Sequence, residues 1–337
     1  MRRAQPTLPE LQSYLNKNRA LRAAVGTRAD EPLELREFAC GEYNANYAFE
    51  AAGRPLLLRV NLGSQMHLAN QIGYEAHALR ALEPSGRTPH VWYVDEAAHC
   101  LVEDRLPGRP LRYETDLPEA ACILADIHAV PGPFPSCLQE PSDPIGAILA
   151  ECAAMFEVYR LWSQADRKVV AQIVALGQRV EHVVSSARGA GWGAPHLINT
   201  ELNSGNFLIG EPGGRSYLID WEKPLLGEVA QDLGHLLAPT TTFWKTDVLL
   251  KRDQAAAFVD LYERSVAGRF AVSGLAERVG VYSVATCLRG VTWCAMAYSQ
   301  YVDDGRALTC PAVFAKIGSY LEPEFMSYVA DEWCGSM

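Results

Sequence analysis

The sequence predicts an α+β fold in two parts, a small antiparallel sheet with one main helix followed by a larger, mostly helical region. Residues 1–105 contain short apolar runs separated by small or polar turn residues. Residues 106–337 contain apolar residues at helical spacing over most of their length, with one hairpin pattern among them. A chain of 337 residues is long enough for two domains, so we expect each part to be one domain.

The first part opens with a helical pattern in residues 7–28, in which Leu8, Leu11, Leu15 and Leu21 recur at helical spacing. After it the pattern changes to short strands around a single helix. The predicted strands are residues 33–38, 47–50, 54–60, 90–93 and 100–103, and the predicted helix is residues 71–82. Because the first three strands are joined by small or polar turns, we expect them to form an antiparallel sheet.

The second part begins where residues 106–110, Leu-Pro-Gly-Arg-Pro, interrupt the strand pattern. Helical patterns dominate from there. They cover residues 118–129, 143–162, 164–187, 247–266, 276–299 and 313–329. Two short apolar runs, 206–209 and 216–219, are joined by the turn residues 210–215, so this segment predicts a loop that leads into a β-hairpin.

Polar residues stand at one end of the predicted hairpin. Asn206 opens its first strand and Asp220 closes its second, so both return to the same end, and Glu201 lies five residues before Asn206. Phosphoryl transfer needs such groups, because oxygen ligands hold Mg²⁺ on nucleotide phosphates and one acceptor orients the attacking hydroxyl. The alternative is an ordinary loop and hairpin with polar rims.

Charge and composition limit the class of function. The net charge of −10, without a basic stripe, argues against a nucleic-acid partner. It fits a cationic small substrate, although mild acidity also serves the solubility of many cytosolic proteins. No apolar run approaches the roughly 18 residues of a membrane span, and nine scattered cysteines without a CxxC pair suggest neither a zinc site nor a disulfide framework. We therefore predict a cytoplasmic protein without a membrane partner and leave its oligomeric state open.

The order of these motifs resembles the kinase-like phosphotransferases, especially the aminoglycoside phosphotransferase and choline kinase group. Residues 199–206 fall on that group's pattern His-Gly-Asp-Leu-His-x-x-Asn, and residues 219–221 fall on its Ile-Asp-Trp motif. The resemblance extends over residues 33–321 and implies a two-lobed protein-kinase-like fold that binds ATP, or GTP, with Mg²⁺. It implies that Asn206 and Asp220 are metal ligands.

The resemblance also implies roles for residues of the first part. Arg59, in the third strand, matches the cation that grips the nucleotide phosphates, and Glu75, on the following helix, matches its ion-pair partner. Asn44 lies in the turn expected to cover the nucleotide, and Glu103 lies in the segment expected to meet the adenine edge. Taken singly, Arg59 and Glu75 also fit the solvated faces of a strand and a helix.

Three further residues are expected to support the site. Asp232 matches an element that holds the catalytic loop by hydrogen bonds, and Asn203 falls on the second His of the loop pattern. Glu222, two residues beyond Asp220, points the same way on a strand end, so it could bind metal or support the site, or be purely structural. His128 is expected to be a packing residue.

Glu201 falls where the resembled family has its catalytic Asp, so its expected role is to accept the hydrogen bond of a substrate hydroxyl. The carboxylate is retained, but it extends about one methylene further, and misplacement of about 1 Å can cost a hundredfold in rate. The function implied is transfer of the γ-phosphate of ATP or GTP to a hydroxyl of a small cationic molecule, an aminoglycoside-like antibiotic or a metabolite. A nucleotide-binding regulator without turnover and a protein or peptide kinase are the alternatives.

Carboxylates near the C-terminus could receive the amine of such an acceptor, or they could form a solvated face. They are Asp303, Asp304, Glu322, Glu324, Asp331 and Glu332.

Overall fold

The computed structural model describes residues 3–28, 30–41, 43–187, 193–305 and 311–335. Glu42, in the turn expected to cover the nucleotide, and Cys310 lie outside the described residues. The chain divides into two compact units. The first consists of Met1–Pro110, Ala129–Gln139 and Asn206–Pro224, and the second of Leu111–His128, Glu140–Gly205 and Leu225–Met337. The division into domains at residue 105 stays a prediction.

The first unit contains a five-stranded antiparallel sheet in the order β1-β2-β3-β5-β4. The strands are β1 Arg36–Cys40, β2 Asn44–Ala51, β3 Arg54–Asn61, β4 Val91–Asp95 and β5 Cys100–Asp104. Ala52 and Gly53 turn β2 into β3, and both have positive φ angles, as a tight hairpin turn requires. This register places Arg59 of β3 beside Asn46 of β2 and Leu101 of β5.

The described residues of the first unit form three α-helices: α1 Leu8–Lys17, α2 Arg19–Val25 and α3 Gln71–Leu82. The pattern in residues 7–28 predicted one helix, but the structure has two. Asn18 separates them, because its extended backbone ends α1 and its side chain accepts a hydrogen bond from the Leu21 main-chain N–H at the start of α2. Leu11, Leu15 and Leu21 are buried in the core that covers one face of the sheet.

The predicted hairpin is present in the first unit as β7 Phe207–Leu208 and β8 Tyr217–Leu218, after a 3₁₀ turn at Ser204–Asn206. The residue after β7, Ile209, pairs with Arg109 in an antiparallel bridge. Its two main-chain hydrogen bonds are 3.0 and 2.7 Å long. Gly108 makes this approach possible. It has φ +143°, and a Cβ there would lie 2.8 Å from the Leu208 carbonyl carbon.

The second unit is mostly helical. Its helices are α4 Leu117–His128, α5 Pro144–Arg160, α6 Arg167–Ala187, α7 Val229–Leu237, α8 Pro239–Lys245, α9 Arg252–Val266, α10 Leu275–Asp303, α11 Pro311–Ser319 and α12 Pro323–Tyr328, followed by a π-helical turn at Val329–Trp333. Two short strands, β6 His196–Ile198 and β9 Leu225–Gly227, pair in antiparallel fashion. The 29-residue helix α10 packs against α5, α6 and α7 and forms the centre of this unit.

The helices of the second unit differ from the sequence prediction at two places. Residues 313–329 were expected to form one helix, but the chain breaks before Pro323, which starts α12 because proline lacks the N–H that a continuing helix would need. The helices α7 and α8 were not predicted. None of the helices in the described parts of the chain is long and apolar enough to cross a membrane.

Candidate active site

Arg59 is the centre of a buried ionic cluster in the first unit. Its side chain, on β3, is 7% exposed, and its Nε lies 3.2 Å from Oε1 of Glu75, on α3, which is 1% exposed. Its Nη2 donates a hydrogen bond of 2.6 Å to Oδ1 of Asp220. The same nitrogen is 3.7 Å from Oε2 of Glu222. Three acidic residues proposed from the sequence for the site, Glu75, Asp220 and Glu222, therefore surround the Arg59 guanidinium.

Glu103, on β5, adds a fourth carboxyl group to this cluster. Burial raises the pKa of Glu103 to about 7 against the opposing effect of Arg59, and the charge of Asp220 contributes to the rise. Burial likewise raises the pKa of Glu75 to about 8, again opposed by Arg59 and supported by Glu103 and Asp220. One guanidinium thus serves several carboxyl groups, and burial favours the protonated form of the two most buried of them, Glu75 and Glu103.

Asn44, on β2, has both ends of its side-chain amide engaged within the protein. Its Oδ1 accepts a hydrogen bond of 3.0 Å from Nδ2 of Asn61, and its Nδ2 donates to Oε2 of Glu222. Gln71, at the start of α3, donates from Nε2 to the main-chain oxygen of Glu222 at 2.6 Å. In this structure the Asn44 side chain is therefore hydrogen-bonded to the Glu222 side chain. Sequence reasoning missed Asn61 and Gln71, for which the available signal was a polar residue at a buried position of a strand and of a helix.

The two proposed metal ligands are joined through the main chain of the hairpin. The Ile219 N–H donates a hydrogen bond of 2.8 Å to the main-chain oxygen of Asn206, so the hairpin continues up to the residue before Asp220. Asp220 itself has φ +65°, a left-handed conformation that costs a non-glycine residue about 1 kcal/mol or more. The surrounding contacts therefore impose this backbone geometry, which determines where the carboxylate points.

The chemistry of Asn206 and Asp220 fits Mg²⁺. The ion prefers oxygen ligands and is usually bound through one or two carboxylates together with substrate phosphates. Asp220 supplies a carboxylate that is 35% exposed, and Asn206 can supply an amide oxygen. The described residues contain no group of three or more His, Cys, Asp or Glu side chains suited to a metal ion.

The loop that carries Glu201 belongs to the second unit, where Asp232 of α7 anchors its main chain. Asp232 is completely buried. Its Oδ2 accepts a hydrogen bond of 2.9 Å from the Asn199 N–H, and its Oδ1 accepts one of 2.7 Å from the Thr200 N–H. His128 Nε2 lies 3.2 Å from the same Oδ2, and its Nδ1 lies 2.7 Å from the Tyr262 hydroxyl. This support is needed because Thr200 has a left-handed backbone, with φ +71°.

Side-chain to main-chain hydrogen bonds also shape the loop immediately around Glu201. The Glu201 N–H donates to Oδ1 of Asn199 at 3.1 Å. Asn203 donates from Nδ2 to the main-chain oxygen of Glu201 at 3.2 Å and accepts from the Gly205 N–H at 2.9 Å. The two asparagines that replace histidines of the resembled pattern therefore hold the backbone on either side of Glu201.

Arg289, on α10, is a cation near Glu201 that the sequence analysis did not identify. Its Nε and Nη2 lie 2.8 and 3.3 Å from the two carboxylate oxygens of Glu151, on α5. Burial alone would lower the pKa of Arg289, but the charges of Glu151 and then of Glu201 raise it. Glu201 thus lies within electrostatic reach of a guanidinium, and a single arginine in a helical pattern gave no sequence signal for this.

Replacing Asp232 should destabilise the protein, because three donors would lose their shared buried acceptor. We expect Asp232→Ala to lower the free energy of unfolding by at least about 3 kcal/mol, and Asp232→Asn to lower it by less, since one acceptor oxygen remains. Urea unfolding followed by circular dichroism measures both. Asp260→Ala, at an exposed position on α9, is the matched control and should change little. Similar midpoints for Asp232→Ala and Asp260→Ala would contradict the anchoring role.

Comparison with known families identifies the family of the chain. A model of the phosphotransferase enzyme family (APH) matches residues 34–267, more than half of the 337-residue chain. The chain belongs to this family. The predicted family and the predicted class of enzyme, a phosphotransferase, are therefore confirmed. No curated protein matches this phosphotransferase significantly in sequence.

Solved structures similar to this phosphotransferase confirm the predicted α+β, protein-kinase-like fold. A choline/ethanolamine kinase family protein from Mesorhizobium loti is 20% identical, with a TM-score of 0.59 over 96% of this chain and 97% of that chain. A spectinomycin phosphotransferase, solved with ADP and spectinomycin, is 14% identical, with a TM-score of 0.63 over 97% and 98%. A choline kinase from Streptococcus pneumoniae is 18% identical, with a TM-score of 0.57 over 86% and 94%. At these identities the likeness concerns the fold alone.

Proposed function

We propose that this phosphotransferase transfers the γ-phosphate of ATP, or GTP, to a hydroxyl group of a small molecule, with Mg²⁺ as the metal. The observation that carries this proposal is the buried Arg59, held by Glu75 and hydrogen-bonded at 2.6 Å to Asp220. Kinase-type enzymes need a strand cation for the phosphates, a helix carboxylate that holds it and an acidic metal ligand. The first unit brings together a set of residues with these three properties.

Each residue of the set has a proposed task. Arg59 would bind nucleotide phosphates, Glu75 would keep Arg59 in place, and Asn206 and Asp220 would hold the metal. Bound Mg²⁺ would neutralise charge on the transferred phosphoryl group. Glu201, anchored through Asp232 and flanked by Asn199 and Asn203, would accept the hydrogen bond of the acceptor hydroxyl and take its proton late in the reaction.

Glu222 and Asn44 would position the site. Glu222 is bound by Asn44 and Gln71 through its side chain and main chain, respectively, so it would stabilise the segment that follows Asp220. Glu103 would contribute to the charge around Arg59, and any contact with the adenine edge would come from the main chain of its strand.

For the acceptor we propose a small hydroxylated molecule that carries an amine, either an antibiotic or a metabolite. The formal net charge of −10 supports a cationic substrate. The names of the similar structures supply the second support, since one is a choline kinase and another was solved with spectinomycin. We also propose a cytoplasmic location, where ATP and GTP are available.

Nucleotide binding is the first test of this proposal. The protein is titrated with ATP and with GTP, with and without Mg²⁺, while its thermal stability is followed. A ligand at a hundred times its dissociation constant adds about 2.7 kcal/mol of stability, which is readily detected. A magnesium-dependent increase would support the proposal and justify a screen of hydroxylated amines as acceptors. No increase with either nucleotide would refute it.

The Glu201→Gln variant separates an enzyme from a nucleotide-binding regulator. Glutamine keeps the size of the side chain but accepts a proton poorly, so we expect turnover to fall by about a hundredfold or more while Mg·ATP binding is retained. ADP release with the best acceptor of the screen measures turnover. Glu211→Gln, at an exposed position in the hairpin turn, is the control and should retain full activity. Equal turnover in the two variants would contradict the role of Glu201.

A further inference from the structure

In this structure the Asp220 carboxylate is neutralised by a cation of the protein itself. Nη2 of Arg59 donates to Oδ1 of Asp220 at 2.6 Å, a short charge-assisted hydrogen bond. The arginine side chain is 7% exposed and the aspartate side chain is 35% exposed. A metal ion from solvent can therefore approach Asp220, but the Arg59 guanidinium already occupies one carboxylate oxygen and repels the ion.

Arg59 is held in this position from its other side. Its Nε lies 3.2 Å from Oε1 of Glu75, whose side chain is 1% exposed. The segment after Asp220 is also restrained, because Glu222 accepts from Asn44 through its side chain and from Gln71 through its main-chain oxygen. Neither partner of the Arg59–Asp220 contact can swing away freely, so the contact is a built feature of the first unit.

We propose that Arg59 is the resident counter-ion of Asp220, so that a divalent metal gains full access to this carboxylate only when nucleotide phosphates give Arg59 another anion. The inference rests on the proposed function for the identity of that anion. Arg59 can keep its contact with Glu75 while it exchanges Asp220 for a phosphate, because the planar guanidinium has several donors in a fixed fork. Metal and nucleotide binding would then be coupled, and each would strengthen the other by the same factor.

The position of the donors along the Arg59 side chain suggests a sharp test. Glu75 is reached by Nε, near the stem, whereas Asp220 is reached by Nη2, at the tip. A lysine ammonium at residue 59 would lie close to where the arginine Cζ lies, one bond beyond Nε and one bond short of Nη2. Arg59→Lys should therefore retain the buried charge and the ion pair with Glu75 but lengthen and weaken the contact with Asp220. Arg59→Met removes both contacts and the charge.

The experiment measures Mn²⁺ binding to the nucleotide-free protein by electron paramagnetic resonance, with Mn²⁺ as the probe for the Mg²⁺ site. We expect Arg59→Lys to bind Mn²⁺ about fivefold more tightly than the wild type, and Arg59→Met about tenfold or more, within the usual range of coupling between sites. Arg36→Met, whose exposed side chain pairs with Glu34, should leave Mn²⁺ binding unchanged. Adding Asp220→Asn to either variant should remove the gain.

Two results would overturn the inference. One is a folded Arg59→Lys protein, judged by circular dichroism, that binds Mn²⁺ no better than the wild type. The other is a gain in Mn²⁺ affinity that survives Asp220→Asn, because the metal would then bind elsewhere. If the wild type binds Mg·ATP while either result holds, only the counter-ion inference fails and the proposed function stands. If no nucleotide binds in any form, both fail.

Discussion

Arg59→Met is expected to lower the free energy of unfolding by about 3–5 kcal/mol at pH 8, because it leaves buried carboxylates without their shared cation. Arg59 contacts Glu75 and Asp220 and lies 3.7 Å from Glu222, and the charge of Glu103 also acts on it. Without the guanidinium these groups must either take up protons or remain charged in a poorly solvated region. Chemical denaturation at fixed pH measures the loss.

The pH dependence of stability provides an internal check on this result. Burial raises the folded-state pKa of Glu75 to about 8, from an ordinary value of 4.5, so between these two values the folded protein binds more protons than the unfolded chain. The stabilisation from this protonation is fully present below about pH 4.5 and is lost as the pH rises to about 8. In Arg59→Met the free energy of unfolding should fall more steeply with rising pH and continue to fall at higher pH. The reason is that the cation that opposes the rise in the pKa of Glu75 is absent.

The control for Arg59→Met is Arg36→Met. Arg36 pairs with Glu34 at 2.9 Å, but both side chains are largely exposed, so water screens the pair. Its denaturation midpoint should match that of the wild type. A midpoint for Arg59→Met that also matches the wild type at pH 8 would show that the buried cluster does not depend on Arg59.

Asp220→Asn is expected to reduce turnover by about a thousandfold and to remove the magnesium-dependent part of nucleotide binding. An amide keeps the shape of the side chain but loses the charge that would hold a divalent ion, and electrostatic groups at a transferred phosphoryl group are usually the largest contributors to the rate. The folded state should survive, because Arg59 keeps Glu75 and Glu222 as partners. Turnover is measured by ADP release, and binding by calorimetry with and without Mg²⁺.

Asp30→Asn serves as the comparison for Asp220→Asn, since Asp30 is 78% exposed and pairs with Arg28 at the surface. It should retain both turnover and Mg·ATP binding. If Asp220→Asn binds Mg·ATP as tightly as Asp30→Asn does, Asp220 is not a metal ligand and the proposed mechanism is wrong.

The sequence predicted the helices and strands best where local pattern decides the structure. The hairpin is an example, because the glycine- and proline-rich segment 210–215 between two apolar runs requires a turn whatever surrounds it. The helix in residues 7–28 is an example of failure. Its apolar spacing continues across Asn18, but the side chain of Asn18 offers the following N–H groups a cap, and two helices result. The spacing of apolar residues does not indicate whether a helix continues through an asparagine or is capped there and restarts.

The site residues were proposed from their order and spacing in the sequence, which gave little indication of the residues that contact them. Asn61 and Gln71 offered only the weak signal of a polar residue at a buried position, and Arg289, a single cation within a helical pattern, offered none. Asn44 shows the same limit. It was expected in the turn before the second strand, but it is the first residue of β2, and its hydrogen bond to Glu222 joins residues 178 positions apart.

The sequence by itself determined that Asn206 and Asp220 stand at one end of a hairpin and that a strand cation and a helix carboxylate precede them in kinase order. Only the tertiary structure decided that Arg59 contacts Asp220 directly and that buried carboxylates share this one guanidinium. The reason is physical. Turns and periodicity depend on neighbouring residues, whereas the contact between Arg59 and Asp220, 161 positions apart, and the pKa shifts around it depend on packing that removes these groups from water.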